Sequence, residues 1–180
     1  SYNSTNGLAP LENFCTTTLT QINNVFKGPG LNIFISVNKP CDNSRALCIY
    51  NQNTGNFTYY TPAKLMNMKN PFRVMFDSYG QYWITTYPVD QTTVGNGVLI
   101  LRPSNNNILD INGTTVLRIS KANGLSSDNT TAIAEDKDNV IWIGTNEGLH
   151  SYSGNISPKY EYPNGPKGEY IRDIHVDRFN

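Results

Sequence analysis

Hydrophobic and polar residues alternate in short runs along most of the chain, and clusters of Asn, Gly, Ser and Asp separate the runs. Alternation with a period of two is typical of half-buried β-strands, and the separating residues favour turns. The apolar spacing of a helix is weak everywhere, and residues 63–70 (AKLMNMKN) come nearest to it. The pattern predicts an all-β chain of short antiparallel strands.

One combination of strand, turn and strand occurs more than once. In residues 73–86 (RVMFDSYGQYWITT) and 132–145 (AIAEDKDNVIWIGT), an alternating strand ends in an acid, a polar turn follows, and the next strand is centred on a Trp. Another copy begins in residues 171–180 (IRDIHVDRFN), and a weaker one lies in residues 24–37, where Phe34 takes the Trp position. The chain therefore contains a repeat with insertions.

The repeat unit has four strands, because a loop, a third strand, a short turn and a fourth strand follow each central Trp or Phe strand. Four antiparallel strands in a repeated unit of about 40–60 residues are typical of a propeller blade. We predict a partial β-propeller of about three four-stranded antiparallel blades plus the first strand of a fourth. The approximate blades are 14–61, 71–120 and 130–163, and the next blade starts within 170–180.

Three blades are few for a closed propeller, which typically has about four to eight. Unpaired sheet edges also favour association with other strands. We therefore expect residues 1–180 to form a single region of blades that is a fragment of a longer propeller. The remaining blades of the parent chain, or a dimer mate, would complete it.

The repeated Trp and acid positions have a structural explanation. We expect Trp83 and Trp142 to pack between neighbouring blades rather than to stack on a ligand. Asp77, Asp136 and Asp177 precede the turn at one equivalent blade position, where they are expected to accept hydrogen bonds from turn N–H groups. A single active site would break the repeat instead of following it.

Composition excludes several classes of function. The 14 Lys and Arg residues balance the 14 Asp and Glu residues, so the chain has no basic field for nucleic acid. No apolar stretch reaches the roughly 18 residues of a membrane-spanning helix, so we expect no membrane insertion within this segment. His150 and His175 lie in strand contexts, and the sequence contains no nucleophile elbow, P-loop or metal-ligand spacing. We expect no catalytic residues, no metal site and no cofactor.

Three cysteines, Cys15, Cys41 and Cys48, match no zinc spacing. Two interpretations stay open. Cys41 and Cys48 form a disulfide in an oxidising compartment, or all three are unpaired thiols in or near the core.

Residues 123–153 (NGLSSDNTTAIAEDKDNVIWIGTNEGLHSYS) resemble the two-component-regulator propeller repeat almost in full. Residues 71–101 resemble it in part, with Thr85 in place of the expected Gly. Such repeats occur in the extracytoplasmic sensor regions of Bacteroidetes hybrid histidine kinases and in surface proteins that serve the type IX secretion system. The resemblance implies a propeller fold and an extracytoplasmic location, in the periplasm or at the cell surface.

The resemblance also implies a function. It favours a non-catalytic binding module that is part of a sensor for polysaccharide-derived ligands in a two-component regulatory system. The alternative is a cell-surface or type IX secretion-associated scaffold that binds protein partners. A propeller enzyme that acts on glycans is a third interpretation.

Loop lengths indicate which face binds. Connections in an up-down meander emerge alternately on two faces, and four long ones (37–45, 62–71, 87–96 and 121–129) fall on the same face. Long, irregular loops are where binding sites concentrate. This long-loop face is the expected site for an oligosaccharide or a protein partner, and a plain solvated surface is the alternative. The candidate binding residues on this face are Lys39, Asp42, Arg45, Tyr87, Asp90 and Asn146.

Overall fold

The structure is a computed structural model, and it describes residues 21–38, 47–61, 63–68, 70–87, 95–160 and 170–177. Eleven strands account for nearly half of these residues. The first four are β1 (Gln21–Lys27), β2 (Asn32–Asn38), β3 (Leu47–Asn51) and β4 (Asn56–Tyr60). The next four are β5 (Pro71–Phe76), β6 (Tyr82–Thr86), β7 (Val98–Pro103) and β8 (Thr114–Ile119). The last three are β9 (Thr130–Glu135), β10 (Ile141–Thr145) and β11 (Gly148–Tyr152).

Two short 3-10 helices, Ser104–Asn106 and Lys121–Asn123, interrupt the loops before and after β8. Among the residues that the structure describes, neither helix has the length and apolar character needed to span a bilayer.

The strands form three antiparallel sheets in simple meander order: β1-β2-β3-β4, β5-β6-β7-β8 and β9-β10-β11. The third sheet also has a bridge between Leu149 and Tyr160, where the Tyr160 N–H donates to the Leu149 carbonyl at 2.9 Å. That bridge lies where the sequence predicts the fourth strand of this blade. The fold is the predicted all-β partial propeller, with a third blade whose described part has three full strands.

The blades pack face to face through two apolar clusters. The first cluster lies between blades 1 and 2 and includes Phe34, Leu47, Ile84 and Leu99. The second lies between blades 2 and 3, and its members are Trp83, Val98, Ile100, Ile119, Leu125, Ile141 and Ile143. Burial of apolar area between the sheets supplies the main stabilisation of this arrangement.

The predicted packing role is confirmed for Trp83, which is buried in the second cluster. Trp142 is half-buried, and its ring centroid lies 5.2 Å from that of Tyr160. Cys48 is buried within β3, whereas Cys15 and Cys41 lie outside the described residues. The disulfide interpretation of the cysteines therefore stays a prediction.

The first strands of successive blades lie side by side, because β5 contacts both β1 and β9. These three strands are the inner strands of the propeller, and β4 and β8 are at its outside. Residues 170–177 follow the same path without forming a strand. The Ile171 N–H donates to the Thr145 carbonyl at 3.0 Å, and the Thr131 hydroxyl donates to the Ile171 carbonyl.

This segment occupies the place of the predicted first strand of a fourth blade. Its position matches that of Thr130, which begins β9 and bonds to the end of β6 at Thr86. A ladder needs a second strand beside the first, and the described residues offer none there. Residues 170–177 therefore lie where the inner strand of the next blade would lie, but they form no ladder with a second described strand.

Candidate functional site

The long-loop end of the blades holds two of the predicted binding residues. Tyr87 and Asn146 directly follow the second strands β6 and β10. Each donates its backbone N–H to an Asn carbonyl just before the first strand, Tyr87 to Asn70 at 3.3 Å and Asn146 to Asn129 at 3.1 Å. The two residues therefore occupy the same position in successive blades. The other four predicted residues, Lys39, Asp42, Arg45 and Asp90, lie outside the described residues.

Aromatic side chains gather around Tyr87. Its ring centroid lies 5.6 Å from that of Phe72 in β5 and 6.3 Å from that of Tyr170, which approaches edge-on at 79°. A side-chain hydrogen bond with Tyr87, followed by partial burial, raises the pKa of Tyr170 above its ordinary value. Tyr170 therefore stays neutral at physiological pH, and its hydroxyl can donate and accept hydrogen bonds.

Charged side chains surround these rings. Arg73 forms an ion pair with Asp173, with 3.1 Å between Nη1 and Oδ1. The Arg73 guanidinium also lies 5.9 Å from the Phe72 ring centroid, and that of Arg172 lies 5.6 Å from the Tyr170 ring centroid. These distances are within the range of cation–π attraction.

The ion pair joins two inner strands that are not neighbours. Arg73 is on β5 and Asp173 is on the segment that follows blade 3, so β9 lies between them in blade order. The contact therefore crosses the propeller near its axis, at the long-loop end. We call this group the axial cluster, and its members are Phe72, Arg73, Tyr87, Tyr170, Arg172 and Asp173.

The axial cluster lies at the long-loop end of the blades, and Tyr87 is the one predicted binding residue among its members. The other members stand at the beginnings of first strands, directly after connections on the long-loop face. The loop-length criterion selected residues inside or just after the loops and not the first residues of the strands that follow them. A rule that included the first residues of each inner strand would have found Phe72, Arg73 and Tyr170.

His150 has a structural role. It is buried, its Nδ1 lies 3.0 Å from the Ser157 carbonyl, and its Nε2 accepts the Ser126 N–H at 3.0 Å. This pattern fixes the tautomer with the proton on Nδ1 and ties β11 to two loops. Within the described ranges, no group of three or more His, Cys, Asp and Glu side chains is placed to hold a metal ion.

Comparison with known proteins assigns the repeat. Residues 124–147 match the family described as two component regulator propeller. The resemblance predicted from residues 123–153 is therefore confirmed. No curated protein matches the chain in sequence.

Solved structures share the architecture. PorZ, a surface component of the type-IX secretion system of Porphyromonas gingivalis, aligns with a TM-score of 0.63 and 16% identity over 89% of this chain and 24% of its own. The extracellular domain of the hybrid two component system BT4673 of B. thetaiotaomicron aligns with a TM-score of 0.59 and 14% identity over 87% of this chain and 19% of its own. A catalytically inactive virginiamycin B lyase from Staphylococcus aureus aligns with a TM-score of 0.56 and 19% identity over 89% of this chain and 47% of its own.

This chain spans less than a quarter of the PorZ and BT4673 chains and about half of the lyase. At these identities the likeness establishes the fold. The chain is a partial β-propeller. Its third blade carries a two-component-regulator propeller repeat.

Proposed function

We propose that this chain is an extracytoplasmic, non-catalytic binding module and part of a sensor for polysaccharide-derived ligands in a two-component regulatory system. The regulator repeat over residues 124–147 supports the regulatory assignment, and the likeness to an extracellular sensor domain supports the location. The axial cluster carries the proposal, because it joins side chains from blade 2 and from the segment after blade 3 at the face where binding was expected.

The chemistry of the axial cluster suits an oligosaccharide. The Tyr170 ring is 47% exposed and offers an apolar surface for the C–H face of a sugar. Arg73 and Arg172 can donate hydrogen bonds to sugar hydroxyl groups, and Asp173 can accept them. The cluster contains one carboxylate, and it is paired with Arg73. Glycoside hydrolysis ordinarily uses two carboxylates, so this arrangement favours binding over catalysis.

Binding at this position can be transmitted along the propeller. A ligand that contacts both β5 and residues 170–177 competes with the Arg73–Asp173 ion pair for the same charged groups. Differential binding to the two resulting arrangements would favour one state of a dimeric receptor.

Isothermal titration calorimetry with a panel of neutral and acidic oligosaccharides tests the proposal. At least one member should bind, and Tyr170→Ala should weaken its affinity at least about tenfold because the exposed ring is lost. Leu117→Ala is the matched control, since Leu117 is a partly exposed apolar residue on the outer strand β8. Absence of binding to every member, or unchanged affinity in Tyr170→Ala, would contradict the proposal.

A cell-surface or type IX secretion-associated scaffold is the second candidate. The likeness to PorZ over 89% of this chain favours it, as does the exposure of Val25 and Leu31 on blade 1, which are 56% and 52% exposed. Exposed apolar patches mark protein contacts, including contacts with further blades or with a dimer mate. Sedimentation velocity tests this surface: concentration-dependent association that Leu31→Asp abolishes supports it, and a strictly monomeric wild type opposes it.

A further inference from the structure

A pocket of about 270 Å³ opens between blades 2 and 3 at their short turns, the end opposite the axial cluster. We call it the short-turn pocket. Trp83 and Tyr152 form its apolar wall, with ring centroids 5.3 Å apart and planes inclined at 63°. Tyr79, Gln81, Asp138 and Asn139 line its polar side.

Hydrogen bonds between the two blades hold this pocket in shape. The Ser78 N–H donates to Glu135 at 2.8 Å, and the Ser78 hydroxyl lies 3.0 Å from Asn139 Oδ1. Within blade 2, Asp77 Oδ2 accepts the Trp83 indole N–H at 2.7 Å and the Gln81 amide at 2.8 Å. A site whose walls are already bonded loses little freedom on binding a ligand.

The lining indicates the chemistry of the ligand. Tyr79 is 70% exposed, so its ring is available to cover a ligand. Amide and carboxylate groups of Gln81, Asn139 and Asp138 suit hydroxyl groups. No Lys or Arg among the described residues lines the pocket, which disfavours anions. Its volume is near the lower end of the roughly 300–1,000 Å³ usual for ligand pockets, so a single sugar ring fits it better than a long chain.

The repeat does not account for Tyr79. With Phe34 aligned to Trp83, the equivalent turn position of blade 1 is Gly30, and with Trp142 aligned it is Asp138 in blade 3. A residue needed only for the turn would recur in the other blades. A large exposed aromatic residue that occurs in this turn alone breaks the repeat, as a binding residue does.

We propose that the short-turn pocket is a second binding site, for one neutral sugar ring, that covers the seam between blades 2 and 3. It shares no residue with the axial cluster and does not depend on the function proposed there.

Proton–nitrogen NMR of the two Trp indole N–H groups tests this proposal in the intact chain. The probe is a panel of neutral monosaccharides: glucose, mannose, galactose and xylose. Trp83 lines the pocket and Trp142 does not, so a bound sugar should shift the Trp83 indole signal and leave that of Trp142 in place. Trp142→Phe, which removes one signal, assigns the pair.

Tyr79→Ala should reduce the affinity measured from the Trp83 signal at least about tenfold, whereas Tyr79→Phe should retain most of it because the ring is kept. Tyr170→Ala should leave this titration unchanged. Failure of every sugar to shift the Trp83 signal, or an unchanged titration in Tyr79→Ala, overturns the proposal. Loss of calorimetric binding in Tyr170→Ala would still support the axial cluster, so the two proposals fail separately.

Discussion

Asp77 and Trp83 lie on either side of a turn and are joined by a hydrogen bond of 2.7 Å from the indole Nε1 to Oδ2. Asp136 and Trp142 make the same bond at the same distance in the next blade. In both pairs the other carboxylate oxygen accepts two backbone N–H groups of the turn. One carboxylate thus links the turn to the centre of the following strand. It also provides the acceptor for the indole N–H, a group that can only donate hydrogen bonds.

Replacing the two acids by Ala should have unequal effects. Asp77 is buried, so Asp77→Ala leaves the Trp83 indole and two turn amides without an acceptor in a place that water reaches poorly. We expect a loss of about 2–4 kcal/mol in the free energy of unfolding. Asp136 is only half-buried, and Asp136→Ala should cost about 1–2 kcal/mol because water replaces part of its bonding. Urea denaturation measures the free energy of unfolding of both variants. Equal losses would show that burial of the carboxylate does not control the size of the effect.

The hydrogen bond from Trp142 is the main reason that the pKa of Asp136 is lowered. Since the folded-state pKa lies below the unfolded one, the bond stabilises the fold above about pH 4, and this stabilisation is lost as the pH falls through the folded-state value. Trp142→Phe should therefore raise the pKa of Asp136 and flatten the acid limb of the stability curve. Carbon NMR titration of the carboxyl group measures the pKa, and Tyr160→Phe is the control that keeps the indole.

Much of the fold could be predicted from the sequence because each blade is local. Strand alternation and the recurring Asp, turn and Trp describe contacts between residues a few positions apart. The prediction that the acid accepts turn N–H groups is confirmed for Asp77 and Asp136, while their bonds to the indoles were missed. The equal spacing could have predicted these bonds, since the acid and the Trp are six residues apart in both pairs.

The axial cluster was harder to predict for a physical reason. Arg73 and Asp173 meet only because three inner strands are arranged around an axis, and the angle between blades depends on how the two apolar clusters pack. Neither quantity is encoded in the spacing of a single repeat. The sequence therefore could not predict which residues meet in the axial cluster, and the long-loop face as the binding face stays a prediction.

Thr130 joins blades 2 and 3 through its hydroxyl. It is fully buried, accepts the Thr86 N–H at 2.9 Å and donates to the Gly97 carbonyl at 2.8 Å. Thr130→Val keeps the shape of the side chain and leaves the Thr86 N–H without its acceptor. We therefore expect the free energy of unfolding to fall by about 1–3 kcal/mol. Hydrogen exchange at the Thr86 amide should become faster. Thr115→Val, the same change at an exposed site in β8, should alter stability by less than about 0.5 kcal/mol.

Gly144 and Ile171 set how closely residues 170–177 approach blade 3. A Cβ placed on Gly144 would lie 2.6 Å from Cγ2 of Ile171 and 2.9 Å from its Cβ, so Gly144→Ala should force the segment away from β10. We expect the free energy of unfolding to fall by about 1–3 kcal/mol. Hydrogen exchange should also become faster at the Ile171 amide, which donates to the Thr145 carbonyl in the wild type.

Blade 2 supplies the rescue for this variant. Thr85 stands in the place of Gly144 there, and the smaller Thr130 stands in the place of Ile171. The combined variant Gly144→Ala with Ile171→Thr should therefore recover slow hydrogen exchange at residue 171. The methyl group added at residue 144 is then accommodated by the smaller side chain at residue 171. If Gly144→Ala alone left exchange at Ile171 unchanged, the close contact would not control the docking of this segment, and the ion pair between Arg73 and Asp173 would have to hold it instead.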